Sequence, residues 1–333
     1  MTRKATLHDV AEAAGVSPST VSRFLSGKGR MSPETRERIQ QAIGELGYMP
    51  NVVARGLVQG HSFSIGVMTQ DIASPLYGAA LLGVQETLKG TDFAPIYVDG
   101  RWSALDEEAA LNRLMGRVDG IIVIGGLLAA ATLTHFARRL PVVGVGRLIP
   151  EFERQCVVVD NYAGSRAAMQ HLLDLGHRQI AHITGPLFQP DALERLRGYT
   201  EALSEVGIPV REDLIIRGNF MEPSGAQAIT QLLSLGQPFT AVFAGNDSMA
   251  LGARLALHQH GLRVPEDVSL MGFDDSYVSA YMMPPLTTVE QPMQELGSMA
   301  ARKMLKLLSG EKTELQKVTP RLMVRDSVRS LQT

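Results

Sequence analysis

The sequence predicts an all-α headpiece followed by a larger α/β body built on parallel sheets. The first 60 residues hold three short, capped helical patterns, whereas the remainder alternates buried apolar runs with helical stretches. The chain has 333 residues, of which 45% are hydrophobic and 20% charged. This composition is typical of an ordinary globular protein, and the length suits two or three domains with sizeable cores.

The headpiece opens with two helices joined by a tight turn. Thr6 followed by Asp9 resembles a capping box, in which the two side chains satisfy the free amides of a helix start. Gly15 supplies the turn, and Ser17 with Pro18 opens the second helix, because proline at the first helical position loses no hydrogen bond. One face of the first helix is apolar at helical spacing, with Leu7, Val10, Ala11 and Ala14. This pattern predicts a helix-turn-helix unit.

The second helix is predicted to bury Val21, Phe24 and Leu25 and to present a polar outer face. That face carries Ser17, Ser19, Thr20, Ser22 and Arg23. A third helix begins near Ser32 and ends at Gly47. Its inward residues are predicted to be Ile39, Ala42, Ile43 and Leu46. A generic three-helix mini-domain explains the apolar positions but not a hydroxyl-rich face beside an arginine, so a DNA-reading helix is favoured.

Charge separates the headpiece from the body. Residues 1–60 hold eight basic and five acidic residues, a net +3, and the rest holds 24 basic and 29 acidic residues, a net −5. Only the headpiece suits phosphates. The segment 48–61 has no core stripe and carries Gly56 and Gly60, so composition alone also allows a simple linker there.

Several classes of protein are disfavoured by composition. The one cysteine, Cys156, excludes an internal disulfide framework and suits a reducing cytoplasm. The N-terminus has no signal-peptide pattern, and no apolar run approaches the roughly 18 residues of a membrane span. We therefore expect a cytoplasmic protein without a membrane partner.

The body alternates strands and helices twice over. The first set of apolar runs comprises Ser64–Thr69, Ala94–Val98, Gly120–Ile124 and Val142–Val145. The second comprises Val157–Val159, Ile180–Thr184, Leu214–Arg217, Ala241–Ala244 and Ser269–Phe273. Helical stretches such as Leu81–Lys89 and Leu105–Met115 lie between them. The alternation predicts parallel sheets covered by helices on both faces, and the number of strands predicts two sheets.

Polar residues follow the ends of these strands, where ligands bind in open α/β sheets. They are Gln70, Asp71, Arg147, Gln189, Asp191, Arg195, Asn219, Asn246, Asp247, Asp274 and Asp275, and the aromatic Phe220 follows Asn219. Several of them also suit helix caps, Asn246 and Asp247 above all. Asp247, Asp274 and Asp275 have no histidine or cysteine at ligand spacing, so no metal site is expected.

Six blocks in order along the chain resemble the lactose/galactose repressor (LacI/GalR) family of bacterial regulators. They are Val10–Arg23, Tyr48–Asn51, Leu175–Pro186, Asn246–Gly252, Val268–Asp275 and Pro285–Pro292. The resemblance implies a body with the periplasmic-binding-protein type 1 fold, two doubly wound lobes around a ligand cleft. It divides the chain into a headpiece (1–50), a hinge (51–61) and a core (62–333). The first lobe would hold about 62–160 and 292–320, and the second about 161–291 and 321–333.

In this family the hinge folds into a short helix on DNA. The residue matching Leu57 would wedge into the minor groove, flanked by Ala54 and Arg55, and such wedging kinks the duplex. Gly56 departs from the usual serine, which weakens a helix. Arg23 is the strongest candidate for base readout, because arginine can donate two hydrogen bonds to guanine. The full expected set of DNA contacts is Thr6, Ser17, Pro18, Ser19, Thr20, Ser22, Arg23, Asn51, Ala54, Arg55 and Leu57.

The resemblance also implies effector contacts in the cleft. The positions are Arg195, Phe220, Asn246 and Asp274, together with Pro75, Tyr77, Arg147, Gln189, Asp191 and Gln291. Carboxylates, amides and a guanidinium bind adjacent hydroxyls, and aromatic rings cover the apolar face of a sugar. A sugar or sugar derivative is therefore expected, and the two arginines leave room for an acidic or phosphorylated one.

The sequence thus predicts an effector-controlled repressor that binds a pseudo-palindromic operator as a homodimer, because a two-fold protein reads a two-fold site. No cofactor and no catalytic residue is expected. Two alternatives stay open: a regulator governed by a protein or non-sugar corepressor, and a solute-binding protein or sugar-acting enzyme on the same fold. The second alternative leaves residues 1–60 without a role.

Overall fold

A computed structural model describes residues 5–25, 30–48, 56 and 60–331. The hinge positions Asn51, Ala54, Arg55 and Leu57 lie outside the described residues. Contacts divide the chain into two compact units, with the boundary after Phe63. None of the described helices is both long and apolar enough to cross a membrane.

The first unit contains three helices, α1 (Leu7–Ala13), α2 (Pro18–Leu25) and α3 (Pro33–Leu46). The predicted capping box is confirmed, since Asp9 N donates to Thr6 Oγ1 at 3.3 Å and Thr6 N donates to Asp9 Oδ2 at 2.7 Å. Gly47 ends α3 in the left-handed region at φ 56°, as its sequence position predicts. The predicted helix-turn-helix is therefore present.

One small core holds the three helices together. Its buried members are Val10, Ala11, Ala14, Val21, Ile39 and Ala42. The prediction that Leu46 faces this core is wrong, because its side chain is 39% exposed. The chain reverses at Gly47, so that Tyr48 N donates to the Ile43 carbonyl and the Tyr48 ring packs on the core. The apolar surface of the core near the last turn of α3 is therefore covered without Leu46.

The first lobe of the second unit is a six-stranded parallel sheet with strand order β11-β5-β4-β3-β1-β2. Its strands are β1 (Ser64–Thr69), β2 (Ala94–Asp99), β3 (Gly120–Ile124), β4 (Val142–Val145), β5 (Cys156–Val159) and β11 (Gln316–Val318). Its helices are α4 (Pro75–Leu88), α5 (Ala104–Leu114), α6 (Ala130–Ala137) and α11 (Met293–Leu308). Two apolar clusters lie on opposite faces of the sheet, one under α4 and α11 and the other under α5 and α6. The fold is doubly wound, as predicted.

The second lobe repeats this plan on a four-stranded parallel sheet with order β7-β6-β8-β9. Its strands are β6 (Ile180–Thr184), β7 (Ile215–Arg217), β8 (Ala241–Ala244) and β9 (Ser269–Met271). Its helices are α7 (Asn161–Asp174), α8 (Pro190–Glu205), α9 (Glu222–Ser234) and α10 (Asp247–Gln259). A short antiparallel pair, β10 (Thr288–Glu290) and β12 (Arg321–Met323), completes the lobe.

The chain passes between the two lobes three times. It leaves the first lobe after β5, returns after β10 through α11, and leaves again between β11 and β12. The helix at the predicted stretch Leu81–Lys89 begins at Pro75, because proline at the first helical position loses no hydrogen bond. The carboxyl ends of both sheets are thus brought to one cleft.

Two glycines in α4 are expected to respond oppositely to alanine. A Cβ at Gly83 would lie 2.0 Å from the Gln294 carbonyl oxygen, because α4 and α11 approach backbone to backbone there. Gly83→Ala should therefore lower the free energy of unfolding by about 2 kcal/mol or more. Gly78 has no such neighbour within 4 Å, so Gly78→Ala should raise it by about 0.5–1 kcal/mol. Urea unfolding of both variants checks this, and equal effects would contradict the close approach.

Candidate functional site

The outer face of α2 carries the polar residues predicted to read DNA. The Ser17 hydroxyl accepts from the Thr20 amide at 3.2 Å, which caps the helix, and lies 2.8 Å from both the Ser19 and Thr20 hydroxyls. Ser22 and Arg23 are exposed one turn further on. Arg23 Nε donates to the Ser19 carbonyl at 3.3 Å. The face therefore presents small hydroxyls at the helix start and a guanidinium at its end.

The second unit contains a cleft at the carboxyl ends of both sheets, with a cavity of about 340 Å³. This volume lies at the lower end of the range of small-molecule sites. Nine of the ten expected effector positions line it: Pro75, Tyr77, Gln189, Asp191, Arg195, Phe220, Asn246, Asp274 and Gln291. Arg147 does not line it. Its guanidinium donates to the Gly126 carbonyl at 3.0 Å, and burial lowers its pKa.

Arg195 is the centre of the cleft on the side of the second lobe. It is 3% exposed on α8, donates from Nε to Asn161 Oδ1 at 2.8 Å and from Nη1 to the Gly245 carbonyl, and lies 3.6 Å from Asp274 Oδ1. Its guanidinium lies 3.8 Å from the centre of the Phe273 ring and 5.7 Å from that of Phe220. The head group is therefore held by hydrogen bonds and by contact with aromatic rings.

Asn161 is a positioning residue that sequence reasoning missed. Its amide oxygen accepts from Arg195 and its amide nitrogen donates to Asp191 Oδ1 at 3.1 Å, so one side chain positions both charged groups. Asn161 is the first residue of α7 and comes before the strands of the second lobe in the chain. It is therefore far from Arg195 in sequence. A polar residue at a helix start, directly after β5 and Asp160, was the available signal.

Burial governs the carboxyl groups of the cleft. It raises the pKa of Asp274, an effect that the nearby Arg195 opposes. Burial also raises the pKa of Asp191, against the influence of Arg195 and Arg147. Gln291 donates a hydrogen bond to Asp274 Oδ1. Burial thus disfavours the ionised form of these carboxyl groups, and hydroxyl donors from a ligand would stabilise that form.

Backbone conformation places two further groups in the cleft. Phe220 and Asp274 both adopt positive φ, 68° and 117°, which non-glycine residues rarely do. The Phe220 carbonyl accepts from Asn246 Nδ2 at 3.0 Å, while Asn246 Oδ1 caps α10 by accepting from Met249 N. Asn246 therefore does the capping that its sequence position indicates and also supports the turn that carries Phe220.

The first lobe contributes aromatic side chains. Tyr77, in the first turn of α4, has its pKa raised by burial and by nearby carboxyl groups. The Trp102 ring stands edge-on to it, with centroids 6.0 Å apart, and also lines the cavity. Sequence reasoning missed Trp102, although it follows the carboxyl end of β2 by three residues and is the one tryptophan of the chain.

The three carboxylates considered as a metal site have separate partners. Asp247 accepts hydrogen bonds from Ser276 N, Ser279 Oγ and Thr288 Oγ1, and Asp275 pairs with Arg325 at 2.7 Å. Within the described ranges no group of three histidine, cysteine or acidic side chains is placed to hold a metal ion.

An exposed apolar patch lies on the second lobe, beside the cleft. Its members are Leu251, Leu255, Tyr277, Val278, Tyr281 and Met283. Tyr281 is 71% and Met283 81% exposed, and the Tyr277 and Tyr281 rings lie 4.9 Å apart. Arg254 on α10 donates to the Met283 carbonyl, which joins the two segments. Such a patch is typical of an interaction surface.

Two family models match the chain. One, for bacterial regulatory proteins of the lacI family, matches residues 6–51, and one for a periplasmic binding protein-like domain matches residues 169–328. Among curated relatives, the regulator CelR of Thermobifida fusca is 38% identical over 98% of both chains. The regulator GalR of Escherichia coli strain K12 is 35% identical over 97% of this chain and 96% of its own.

Solved structures agree over the same length. The lac repressor dimer bound to operator and the anti-inducer ONPF superposes with a TM-score of 0.87 at 30% identity, covering 98% of this chain and 100% of that one. A complex of the regulator CelR with cellobiose gives a TM-score of 0.73 at 37% identity, covering 97% and 99%.

Proposed function

Since the chain belongs to the lacI family of bacterial regulatory proteins, we propose that it represses carbohydrate-utilisation genes from a pseudo-palindromic operator under the control of a sugar. It is a sequence-specific DNA-binding regulator of transcription and acts in the cytoplasm. One observation supports a sugar as the effector: the cavity combines the buried hydrogen-bonding group of Arg195, Asn161 and Asp274 with the aromatic ring of Phe220.

The proposed division of labour follows the order of the chain. Residues 1–50 form the DNA-reading headpiece, 51–61 the hinge, and 62–333 the core that binds effector and a second copy. The first lobe of the core takes about 62–160 and 292–320, and the second about 161–291 and 321–333. The crossings after β5, β10 and β11 support these limits.

In the headpiece, Arg23 reads guanine, while Ser17, Pro18 and Ser19 face base edges at the start of α2. Thr20, Ser22 and Thr6 contact phosphates. In the hinge, Asn51, Ala54 and Arg55 accompany the wedge at Leu57. The exposed guanidinium of Arg23 at the end of a hydroxyl-lined helix supports the assignment.

In the core, the effector is held from both lobes. Asp274, Asn246, Asp191 and Arg195 bind its hydroxyls, and Phe220 covers a ring face. The remaining contacts come from Pro75, Tyr77, Gln189 and Gln291, with Arg147 supporting the floor from outside the cavity. The complex of the relative CelR with cellobiose supports a sugar as the effector. A ligand that prefers one arrangement of the lobes changes operator affinity through this coupling.

Selection of binding sites from random duplex DNA with the full chain tests the function. A pseudo-palindromic consensus is expected, and a panel of sugars should change the affinity for it. A consensus with no internal symmetry would contradict the dimer. A regulator governed by a protein corepressor would give the consensus without any response to sugars.

The apolar patch is the proposed homodimer surface, and the operator-bound dimer of the lac repressor supports a second copy as its occupant. Leu255→Glu places a charge in the patch, where the side chain is 54% exposed, and should convert the dimer to a monomer. Leu105→Glu, at an 81% exposed position of the first lobe, should leave the dimer intact. Light scattering at micromolar concentration distinguishes them, and a dimeric Leu255→Glu variant would rule out this surface.

A further inference from the structure

We propose that Trp102 forms a ring-stacking subsite in the first lobe and that the effector is an uncharged saccharide, not an acidic or phosphorylated one. The inference rests on the proposed function of the cleft and adds the charge class of its ligand. Two independent features carry it, the way in which Trp102 is held and the charges that surround the cavity.

The loop that carries Trp102 is fixed by its own hydrogen bonds. Asp99 accepts from Arg101 N at 2.8 Å through Oδ1 and from Ile72 N at 3.0 Å through Oδ2, which ties the loop after β2 to the loop after β1. Ser103, the next residue, caps α5 by accepting from Asp106 N. Trp102 is therefore anchored on both sides.

This anchored loop holds an unfavourable backbone conformation. Arg101 and Trp102 adopt φ of 53° and 52° in succession, a region that favours glycine. Such conformations persist where the surrounding structure imposes them, and they concentrate at ligand-binding clamps. Here the conformation presents a half-buried indole to the cavity, with the Tyr77 ring beside it at an interplanar angle of 70°.

The two lobes thus offer two separate aromatic platforms. Phe220 belongs to the second lobe and lies against Arg195, while Trp102 and Tyr77 belong to the first. The C–H face of a pyranose is apolar and covers an aromatic ring well, whereas its hydroxyls point outward to polar groups. A saccharide ring on Trp102 would therefore bridge the lobes.

The charges around the cavity disfavour an anion. Five carboxyl side chains line it: Asp71, Asp191, Glu222, Asp247 and Asp274. Among the described residues of that lining, Arg195 is the one cationic side chain, and it donates to Asn161 and to the Gly245 carbonyl and pairs with Asp274. Arg147 lies outside the lining and is bonded to Gly126. A carboxylate or phosphate would meet these carboxyl groups, and the one guanidinium beside them is already paired with Asp274.

The two arginines of the sequence leave room for an acidic sugar, whereas the described lining of the cavity favours an uncharged one. Hydroxyl groups, in contrast, donate hydrogen bonds to carboxylates. An uncharged saccharide therefore suits a cavity whose lining has an excess of hydrogen-bond acceptors.

The single tryptophan makes the test direct, because its fluorescence reports on this subsite alone. The full chain is titrated with neutral sugars (glucose, galactose, lactose, maltose, cellobiose) and with anionic ones (glucose 6-phosphate, glucuronate, gluconate), in parallel with calorimetry. At least one neutral sugar should give a saturable change in tryptophan emission, and the anionic sugars should give none at the same concentrations.

Variants separate stacking from a merely structural role. By calorimetry, Trp102→Ala should weaken binding of the responding sugar about tenfold or more, while Trp102→Phe, which keeps a ring, should stay within about threefold. Leu105→Ala, an exposed apolar residue of the same lobe, is the matched control and should not change affinity. Thermal melting verifies that each variant is folded.

Three results would overturn the inference: an anionic sugar that binds as tightly as any neutral one, a bound neutral sugar that leaves the emission unchanged, or a Trp102→Ala variant with undiminished affinity. Each of these leaves a sugar-responsive regulator standing. If calorimetry detects no binding by any sugar while operator binding is intact, the sugar effector itself is refuted and the inference falls with it.

Discussion

Arg23→Ala should weaken binding to the selected operator about 30-fold or more and remove most of its preference over random DNA. A bidentate arginine–guanine contact contributes about 1–3 kcal/mol of discrimination, and a dimer makes the contact once in each half-site. The other residues on the same face of α2 offer hydroxyl groups, which discriminate bases weakly. The loss should therefore concentrate on this one side chain.

Two controls separate base readout from simple charge. Arg23→Lys keeps the charge but loses the planar fork, so it should bind random DNA normally and the operator poorly. Arg38→Ala removes an equal charge from α3 and should weaken both duplexes equally. Fluorescence anisotropy on operator and scrambled duplexes over a salt series measures these effects. An Arg23→Ala variant that retains the full preference for operator would refute the assignment.

The headpiece could be predicted almost entirely from the sequence, because its signals are local. The Thr6–Asp9 box and the Ser32 cap each join residues three apart, and the bonds form as their spacing indicates. Leu46 was misplaced because its burial depends on where Tyr48 packs after the turn at Gly47, which helical periodicity does not encode.

The cleft could be predicted only in part from the sequence. The rule that ligands bind beyond the carboxyl ends of strands brought together residues more than 200 positions apart, such as Tyr77 and Gln291. It did not identify Asn161, whose role is to orient Arg195, because that contact joins α7 to α8 through side-chain geometry. Trp102 was missed for another reason: its place in the cavity depends on a positive φ that no residue preference would suggest.

The charge around the cavity could not be predicted from the sequence, because it depends on which side chains face the cavity in three dimensions. In sequence, Arg147 and Arg195 both follow predicted strands, and together they leave room for an anionic sugar. In the structure, Arg147 lies outside the cavity, while Arg195 lies inside it among hydrogen-bonding partners. A count of basic residues near strand ends therefore overestimates the positive charge that a ligand meets.

The affinity for effector should decrease as the pH is lowered from about 8 to about 5, and Asp274 should be the main cause. Burial raises the pKa of this carboxyl above its ordinary value. A sugar hydroxyl donates to the ionised carboxylate, so protonation removes an acceptor while a neutral sugar does not itself titrate. In the absence of ligand the sign is opposite: the folded chain holds this proton more tightly than the unfolded chain, so the contribution of Asp274 to the free energy of unfolding rises as the pH falls.

Asp274→Asn keeps the shape of the side chain but removes the titration and the charge. It should bind the effector about 10- to 100-fold more weakly at pH 8, since a hydrogen bond to a charged group contributes about 1.5–3 kcal/mol, and its affinity should vary much less with pH. Asp106→Asn, at an exposed position of α5 outside the cavity, should match the unsubstituted chain. Calorimetry at several pH values provides the comparison. A variant with the original pH dependence would assign the titration to Asp191 or Asp247, whose pKa values burial also raises, and would leave Asp274 as a partner of Arg195 alone.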